Sequence, residues 1–295
     1  MTPQVLVTGA TGNTGRYVTA GLRAEGASVR TATRSPSGET SGDDHIRFDW
    51  HDSETYLLAL TGIDRVYLVA PVGVRDPSDQ IEHFLDVART ANVRRVVFLS
   101  SDVIPHQAPG LDRARRLVTE MPEWAVLRPS WFMQNLIVAS HHMATGLRTR
   151  AELPSATEGR GIGFVDAADI AAVGVRALLD DTPPNREYVI TGPEVLSYDD
   201  VARILNEVLT PPRPVRHIRL TVPELAGRIA RGIPEDMAIV LAQVERRIAE
   251  GAEERVTTTV AEVTGRKPRS LRDFVMAHRD RFDIAVADSP RDGES

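Results

Sequence analysis

The sequence predicts an α/β protein built on a doubly wound parallel sheet, and two patterns in its first 135 residues support this fold class. Short runs of β-branched and other apolar residues have the length of buried strands, and stretches with the apolar spacing of amphipathic helices separate them. Strands that alternate with helices are typical of a parallel sheet covered by helices on both faces. The predicted strands are 5–8, 28–33, 46–48, 66–70, 96–100 and 125–127.

The second half of the chain has a different pattern, because helical spacings dominate it and proline-rich turns separate some of them. Only 187–191 and, less clearly, 215–220 resemble strands there. We therefore expect a smaller, mostly helical C-terminal cap. The expected division assigns 1–135 to the sheet domain with 162–182 packing back on it, 136–161 and 183–282 to the cap, and 283–295 to a disordered tail.

Composition excludes several classes of function. The 295 residues carry 35 basic and 41 acidic side chains without blocks of like charge, so neither a nucleic-acid surface nor an anionic-membrane surface is predicted. The absence of cysteine excludes disulfides, thiolate catalysis and cysteine-ligated metal clusters. No apolar run has the length of a membrane span. We expect a cytoplasmic protein, monomeric or homodimeric, that acts on a small molecule and holds no metal.

A glycine-rich motif directly follows the first predicted strand and precedes a helical pattern. Glycines allow a tight turn and let the backbone approach a pyrophosphate, and the N-terminus of the following helix offers free N–H groups and the positive end of its dipole. A strand, a glycine loop and a helix in this order predict a dinucleotide site of the Rossmann type, with a ligand-free glycine turn as the alternative. The expected cofactor-binding residues of the loop are Gly9, Thr11, Gly12, Asn13, Thr14 and Gly15.

The second predicted strand is followed by Arg34 and not by a carboxylate. Sites for NAD commonly place an aspartate or glutamate here to bind the ribose 2′-hydroxyl, whereas an arginine accommodates a 2′-phosphate. Arg34 therefore favours NADP(H) over NAD(H), with a solvated surface arginine as the alternative.

Two more pairs of residues follow predicted strands. Asp49 and Trp50 come after the third strand, where folds of this class contact adenine, and the alternative is a loop aspartate beside a core tryptophan. Ala70 and Pro71 end the fourth strand at the edge where such sheets bind ligands. All four residues are expected to bind the cofactor.

The order and spacing of six segments resemble the NmrA-like, atypical short-chain dehydrogenase/reductase family, close to bacterial relatives of the festuclavine-type reductases of ergot alkaloids. The resemblance covers about residues 3 to 282. It implies NADP(H) in the cleft, a substrate pocket under the cap, and an Arg-Pro-x-x-Phe segment beside the nicotinamide that makes Pro129 a cofactor contact. The segments are 8–15, 33–34, 97–101, 127–135, 163–171 and 188–194.

The catalytic pair that short-chain dehydrogenases usually use is missing. In that Tyr-x-x-x-Lys pair, lysine lowers the pKa of the tyrosine that exchanges the proton. Lys267 is the only lysine here, and none of the five tyrosines stands four residues before it. Reduction of an iminium, a quinone or a conjugated C=C bond needs less proton transfer than reduction of a ketone. Positioning the substrate against the nicotinamide then supplies most of the rate.

Four polar residues follow the fifth predicted strand and are the candidate catalytic residues. A serine hydroxyl there can donate a hydrogen bond to a substrate oxygen, and the alternative is a turn hydroxyl. The aspartate can orient a catalytic group or accept a proton, and the alternative is an aspartate that stabilises a turn. The histidine can act as a base, and the alternative is an exposed imidazole without a function. These residues are Ser100, Ser101, Asp102 and His106.

The segment after the sixth predicted strand contains the candidate substrate-binding residues. Its aromatic side chains can stack on a flat substrate and its amides can anchor polar groups, although Phe132 fits the core equally well. Nearby, His141 and His142 are adjacent, so they diverge on a helix and are not expected to bind a metal. The candidates are Trp131, Phe132, Gln134 and Asn135.

Three functions are compatible with these observations. The first is an NADPH-dependent reductase of a conjugated, iminium-like or quinone-like small molecule, and natural-product biosynthesis is one setting for it. The second is a non-catalytic NADP(H) redox sensor, which the missing catalytic pair favours and the lack of a partner helix or DNA-binding motif opposes. The third is a non-redox rearrangement or ring opening on the same fold.

Overall fold

The computed structural model describes residues 3–34, 44–71, 73–74, 76–104, 110–211, 213–282 and 284. The chain forms two compact units: Met1–Ser130, Ala167–Thr191 and Thr257–Pro268 in the first, and Trp131–Asp166, Gly192–Val256 and Arg269–Ser295 in the second. The strands are β1 (Gln4–Thr8), β2 (Ser28–Thr33), β3 (His45–Arg47), β4 (Arg65–Val69), β5 (Arg95–Leu99), β6 (Glu123–Pro129), β7 (Glu152–Ser155), β8 (Arg186–Ile190) and β9 (Arg216–Arg219). The helices are α1 (Gly15–Ala24), α2 (Glu54–Leu60), α3 (Ser78–Thr90), α4 (Leu111–Thr119), α5 (His142–Arg150), α6 (Ala167–Leu179), α7 (Tyr198–Leu209), α8 (Val222–Ile229), α9 (Glu235–Ala249), α10 (Thr259–Thr264) and α11 (Leu271–Ala277).

The first unit contains a seven-stranded sheet in the order β3-β2-β1-β4-β5-β6-β8. Every neighbouring pair of its strands is parallel. The chain builds outward from β1 in one direction and then from β4 in the other, so a topological switch point lies between these two strands. The predicted α/β class with a doubly wound parallel sheet is confirmed.

The strands of this sheet are apolar along their whole length because helices cover both faces. Val5, Leu6 and Val7 of β1 are all fully buried, although alternate residues of a strand point to opposite faces. On one of these faces α1 packs closely against α6. A Cβ atom at Gly21 would lie 2.9 Å from a methyl carbon of Val175, so glycine allows this close approach.

Helix α6 is tied to the sheet by a buried arginine. The Arg95 guanidinium donates hydrogen bonds to the carbonyl oxygens of Ala177, Leu178 and Asp180 at the C-terminal end of α6. Its Nε atom lies 2.8 Å from a carboxylate oxygen of Glu123, which balances the charge. A cation at this position satisfies carbonyls that have no partner within the helix. Helix α6, Ala167–Leu179, accordingly lies in the first unit.

The second unit is mostly helical and contains α5, α7, α8, α9 and α11 together with a two-stranded parallel sheet of β7 and β9. One of its apolar clusters joins the strand end at Ala156 to α8 and α9. The cluster consists of Ala156, Leu225, Ile229, Ala238 and Ala242.

A polar group holds β7 and β9 together. The Ser155 hydroxyl oxygen lies 2.8 Å from Nε2 of His217, and Nδ1 of His217 lies 3.2 Å from a carboxylate oxygen of Asp199. Serine, histidine and aspartate follow one another as in a hydrolase triad, but Ser155 is fully buried and also contacts the Thr157 hydroxyl. The group therefore links two strands to α7 and has no access to a substrate.

The division of the chain differs from the expected one at four places, and the first is 162–166, which was expected to pack on the sheet domain but belongs to the second unit. Residues 186–190, expected in the cap, form β8 and pair with β6 at the edge of the large sheet. Residues 257–268, also expected in the cap, contribute α10 to the first unit, whereas 131–135 belong to the second. The strand pattern at 187–191 could not show which strand it would pair with, because an edge strand has only one neighbour to specify it.

Two further expectations concern the chain end and membranes. The expected tail, 283–295, lies outside the described residues except for Ile284. Within the described part of the chain, no helix is both long enough and apolar enough to cross a membrane.

Candidate functional site

The glycine loop between β1 and α1 has a shape that side chains would disrupt. Gly9 has φ +60°, and the N–H of Gly12 donates to the Gly9 carbonyl oxygen over 2.8 Å. A Cβ atom at Gly15 would lie 2.2 Å from that same carbonyl oxygen. The loop therefore requires glycine at position 15, where a Cβ atom would have no room, and favours glycine at position 9, where the backbone is left-handed.

The N-terminus of α1 is left without a side-chain cap. Thr14 occupies the capping position, but its hydroxyl accepts a hydrogen bond from the buried Tyr67 hydroxyl over 3.0 Å and does not cap the helix. Burial raises the pKa of Tyr67, so this hydroxyl keeps its proton and remains the donor. The first N–H groups of α1 have no partner inside the helix, and its first turn contains no acidic side chain. Both features favour an anion at this end.

A cleft of about 300 Å³ opens at the carboxyl ends of β1, β2 and β4, and we call it the sheet-edge cleft. Its walls bring together eight of the twelve residues expected to bind a cofactor. These are Gly9, Thr11, Gly12, Arg34, Asp49, Trp50, Ala70 and Pro71. Phe48, His51 and Val69 also line the cleft.

The other four expected cofactor residues do not line the sheet-edge cleft. Asn13, Thr14 and Gly15 continue the loop into α1, and Thr14 and Gly15 are buried. Pro129 ends β6, where its carbonyl oxygen accepts a hydrogen bond from the N–H of Asp102 over 3.0 Å. A nicotinamide contact at Pro129, which the family resemblance implies, stays a prediction.

Arg34 follows β2 directly and is exposed at the rim of the sheet-edge cleft. It forms no ion pair with any residue that the structure describes. The guanidinium is therefore available for an anionic ligand. Of the described residues that line this cleft, His51 is the other basic one.

Asp49 and Trp50 make the loop and core contacts that were considered for them, and both also line the sheet-edge cleft. A carboxylate oxygen of Asp49 accepts a hydrogen bond from the N–H of His51 over 3.0 Å, which stabilises the turn. The Trp50 ring packs against Phe48 and Phe84 at centroid distances of 5.0 and 5.4 Å, yet it also lines the cleft. The Trp50 ring is thus held rigidly in the cleft wall by the aromatic core behind it.

Tyr56 completes this aromatic support. Its hydroxyl donates to the Trp50 carbonyl oxygen over 2.9 Å. Burial, with the charges of Asp49 and Asp52, raises the pKa of Tyr56 to about 12. The hydroxyl consequently stays protonated and keeps the Trp50 backbone in place.

The candidate catalytic residues after β5 differ in their surroundings. Ser100 is nearly buried, and its N–H donates to the Leu127 carbonyl oxygen over 2.8 Å, whereas Ser101 is partly exposed. Asp102 is buried, and its carboxylate lies 3.2 Å from the Arg128 guanidinium. His106 lies outside the described residues.

Asp102 belongs to an ionic network that sequence reasoning missed. Arg128 also pairs with Glu187 at 3.0 Å, and Glu187 pairs with Arg115 of α4. Arg115 in turn lies 2.7 Å from the buried Asp112. The four partners come from β6, β8 and α4, so no short motif could have revealed them. In this network the Asp102 carboxylate is paired with the permanently charged guanidinium of Arg128. This pairing opposes the role in proton transfer that was expected for Asp102.

The segment after β6 belongs to the second unit, and the structure corrects the expectation for Gln134. Its side chain is fully buried, and its amide donates to Asp166 over 2.7 Å. Arg269 contacts the other carboxylate oxygen of Asp166 at 2.7 Å. The Gln134 amide therefore satisfies one oxygen of a buried carboxylate whose charge Arg269 balances, so it is engaged within the protein, and an isolated sequence segment cannot show this partner. Phe132 and Asn135 are partly exposed.

Trp131 lines a second cleft, of about 290 Å³, that lies wholly within the second unit and that we call the cap cleft. His141 and His142 stand at its wall. Nδ1 of His141 accepts a hydrogen bond from the N–H of Met143 over 3.2 Å and so caps α5. Nε2 of His142 lies 3.4 Å from a carboxylate oxygen of the buried Glu245. Among the described residues, no group of three or more histidine, aspartate or glutamate side chains could hold a metal ion.

Comparison with known proteins places the chain in a family. The NmrA-like family model matches residues 1–275. The uncharacterized oxidoreductase YesF of Bacillus subtilis is 39% identical over 275 residues, which cover 93% of this chain and 94% of that protein. Agroclavine dehydrogenase of Claviceps fusiformis is 35% identical over 280 residues, which cover 92% and 96%.

A solved structure agrees with the fold. The NADPH-dependent quinone oxidoreductase QOR2 of Escherichia coli, complexed with NADPH, superimposes with a TM-score of 0.79 at 20% identity, covering 94% of this chain and 99% of that chain. The family that the sequence motifs resemble is therefore confirmed, and this chain belongs to the NmrA-like family.

Proposed function

We propose that the protein is an NADPH-dependent oxidoreductase that binds its cofactor in the sheet-edge cleft. The observation that carries the proposal is that the glycine loop and Arg34 line one cleft at the switch point of the sheet, and that this loop leads directly into the uncapped N-terminus of α1. Relatives that cover more than nine-tenths of the chain are named an oxidoreductase and a dehydrogenase, which supports the same conclusion.

The residues present fit a dinucleotide phosphate. The Gly9–Gly15 turn has no room for a Cβ atom at Gly15, as expected for the third glycine of a dinucleotide-binding turn, which allows close packing where the helix begins. The first N–H groups of α1 would bind the pyrophosphate oxygens, and Arg34 would pair with the 2′-phosphate. The nucleoside that carries the 2′-phosphate would be surrounded by Asp49, Trp50, Ala70 and Pro71. NADPH, when bound, supplies a hydride.

We propose a conjugated, iminium-like or quinone-like small molecule as the substrate, because such acceptors need little proton transfer. Lys267 is the only lysine and no tyrosine precedes it at the required spacing, so the chain lacks the usual dyad. Ser100 and Ser101 are proposed to donate hydrogen bonds to a substrate oxygen. Asp102 would instead hold Arg128 in place, and His106 remains a predicted base. Substrate contacts by Trp131, Phe132 and Asn135 also remain predictions.

The first test is calorimetric titration of the protein with NADPH, NADP⁺ and NADH, repeated on Arg34→Ala. NADPH is expected to bind in the micromolar range or tighter, NADH much more weakly, and Arg34→Ala should remove most of that difference. Arg23→Ala is the matched control, because Arg23 is an exposed arginine of the same unit outside the cleft. Failure of all three nucleotides to bind would overturn the proposal.

The second test separates catalysis from sensing. Quinones, enones and imines are incubated with NADPH and the protein, and consumption of NADPH is compared with the same mixture without protein. The reductase proposal requires consumption above that background with at least one class. If none is consumed and the protein binds NADPH far more tightly than NADP⁺, a redox sensor becomes the better description, since only unequal affinities can shift an equilibrium.

A further inference from the structure

The cap cleft carries charge of one sign. Among the described residues that line it, every charged side chain is an arginine and none is an aspartate or glutamate. The arginines come from three places in the second unit: Arg150 at the end of α5, Arg228 in α8, and Arg231 in the turn before α9. A concave surface lined by these arginines attracts anions.

Part of this positive charge is already balanced by a neighbouring carboxylate. Glu152 lies 3.4 Å from Arg150 and 3.1 Å from Arg228, so one carboxylate serves two guanidinium groups. Arg231 forms no ion pair with any residue that the structure describes. The wall therefore has a net positive charge, and Arg231 is its unpaired group.

The N-terminus of α5 adds to this polarity. His141, His142 and Thr145 of its first turns line the cleft, and no acidic residue occurs in the first turn. The positive end of the helix dipole thus lies at the same wall as the arginines. Glu245 is buried beside His142, and its second oxygen is occupied by the N–H of Ala156 at 2.7 Å. It does not line the cleft.

The rest of the wall is apolar. Trp131, Ile229, Ile233 and Leu241 line it, and Leu241 is 39% exposed although it is a large apolar side chain. An aromatic ring with neighbouring aliphatic side chains binds flat hydrocarbon groups well. The volume of about 290 Å³ is at the small end of ligand sites and suits a molecule of one or two rings.

We propose that the cap cleft is a binding site for a small aromatic carboxylate, or a similar organic anion, whose rings lie against Trp131 and whose charge pairs with Arg231. This inference goes beyond the proposed cofactor site and does not need it. Binding is expected in protein free of nucleotide, since all of the residues involved belong to the second unit.

The probe is naphthalene-2-carboxylate, and naphthalene-2-carboxamide is its uncharged counterpart. The readout is the set of indole N–H signals in a ¹⁵N–¹H correlation spectrum. The chain has three tryptophans, of which Trp50 lines the sheet-edge cleft, Trp131 lines the cap cleft and Trp124 lies in β6. The three signals are assigned with Trp→Phe variants. The assigned signals therefore show which cleft a ligand occupies, and the size of their shifts at each ligand concentration gives its affinity.

The carboxylate is expected to shift the Trp131 signal to saturation and to bind more tightly than the carboxamide. Arg231→Gln should weaken carboxylate binding about fivefold, the range of a partly exposed ion pair, and leave the carboxamide unaffected. Arg216→Gln is the matched control, because Arg216 is an exposed arginine of β9 in the same unit that does not line the cleft.

Three outcomes would overturn the inference. They are no shift at Trp131, equal binding of carboxylate and carboxamide, and unchanged carboxylate binding to Arg231→Gln. A shift confined to Trp50 counts against it as well, because the ligand would then occupy the sheet-edge cleft. NADPH added in a separate titration is expected to shift Trp50, so failure of the cofactor proposal is seen independently.

Discussion

The hydroxyl of Tyr67 in β4 donates a hydrogen bond over 3.0 Å to the hydroxyl of Thr14, which precedes α1, and both side chains are buried. This contact fixes the end of the glycine loop against the neighbouring strand. It also removes the Thr14 hydroxyl from the helix N-terminus, where it would otherwise cap the N–H groups that we assign to the pyrophosphate. One buried hydrogen bond thus connects the sheet core to the candidate site.

The first prediction follows from this contact. Tyr67→Phe deletes the donor and leaves the Thr14 hydroxyl buried and unpaired, so the free energy of unfolding should fall by about 1–2 kcal/mol. Urea unfolding measures this change. Tyr17→Phe is the control, because Tyr17 is only partly buried and its ring, which lies 4.8 Å from the Arg16 guanidinium carbon, is kept. Equal stability of the Tyr67→Phe and Tyr17→Phe variants would contradict the role given to the contact.

The second prediction concerns the space at Gly15. In Gly15→Ala the new Cβ atom would lie 2.2 Å from the Gly9 carbonyl oxygen, so the loop must open. We expect NADPH binding to weaken by at least about tenfold, because the backbone can no longer approach the pyrophosphate in the same geometry. Calorimetric titration checks this.

Gly227→Ala is its control. Gly227 lies in α8, and a Cβ atom there meets nothing within 4 Å. Alanine is the better helix former by about 1 kcal/mol, so this variant should be at least as stable as the natural protein and should bind NADPH equally well. Loss of binding in both variants would show that the effect is not specific to the loop.

Local patterns were sufficient for the first six strands of the large sheet and for most of the sheet-edge cleft. The apolar runs of β1 and β5 and the glycines after β1 are short-range signals, and each is set by the chain's own periodicity or by a turn that needs glycine. The place of Arg34, Asp49 and Pro71 at this cleft could be predicted from their positions after strands, since parallel strands bring their carboxyl ends to the same edge. Their contact with a cofactor stays a prediction.

Long-range polar contacts were not predictable in this way. Gln134 follows β6 like a ligand-binding residue, but it meets Asp166, which is 32 positions later in the chain. Asp102 likewise pairs with Arg128, and β8 joins the large sheet through β6. Each of these partners is chosen by the tertiary fold, so sequence spacing contains no signal for it.

The third prediction tests the corrected role of Gln134. Gln134→Met fills a similar volume but leaves one oxygen of the buried Asp166 carboxylate without its amide donor. Hydrogen bonds to charged groups contribute about 1.5–3 kcal/mol, and we expect a loss of stability in that range. Asn135→Ala, at a partly exposed neighbour, should change stability by less than about 1 kcal/mol. Urea unfolding of both variants decides between a structural and a ligand-binding Gln134, because a ligand-binding amide could be lost with little effect on stability.

The last prediction concerns the stability of the folded protein at acidic pH. Burial, with a smaller effect of His142, holds the pKa of His141 well below its usual value, so the imidazole stays neutral in the folded protein. In the unfolded chain it takes up a proton near pH 6.5. The unfolded state therefore binds more protons once the pH falls below that value, and stability must decrease, by at most about 1.4 kcal/mol per pH unit for this residue. Burial also lowers the pKa of His217, which acts in the same direction.

His141→Asn isolates the contribution of His141. Asparagine is a good residue for the N-cap of α5 that His141 now provides, and it does not titrate. The free energy of unfolding is measured by urea at about pH 8, 6.5 and 5.5. We expect the two proteins to be similar at the highest pH, where both side chains are neutral, and the variant to lose less stability on acidification. If the natural protein and the variant lose stability in parallel, the partly buried, neutral imidazole of His141 does not set the acid sensitivity of the second unit.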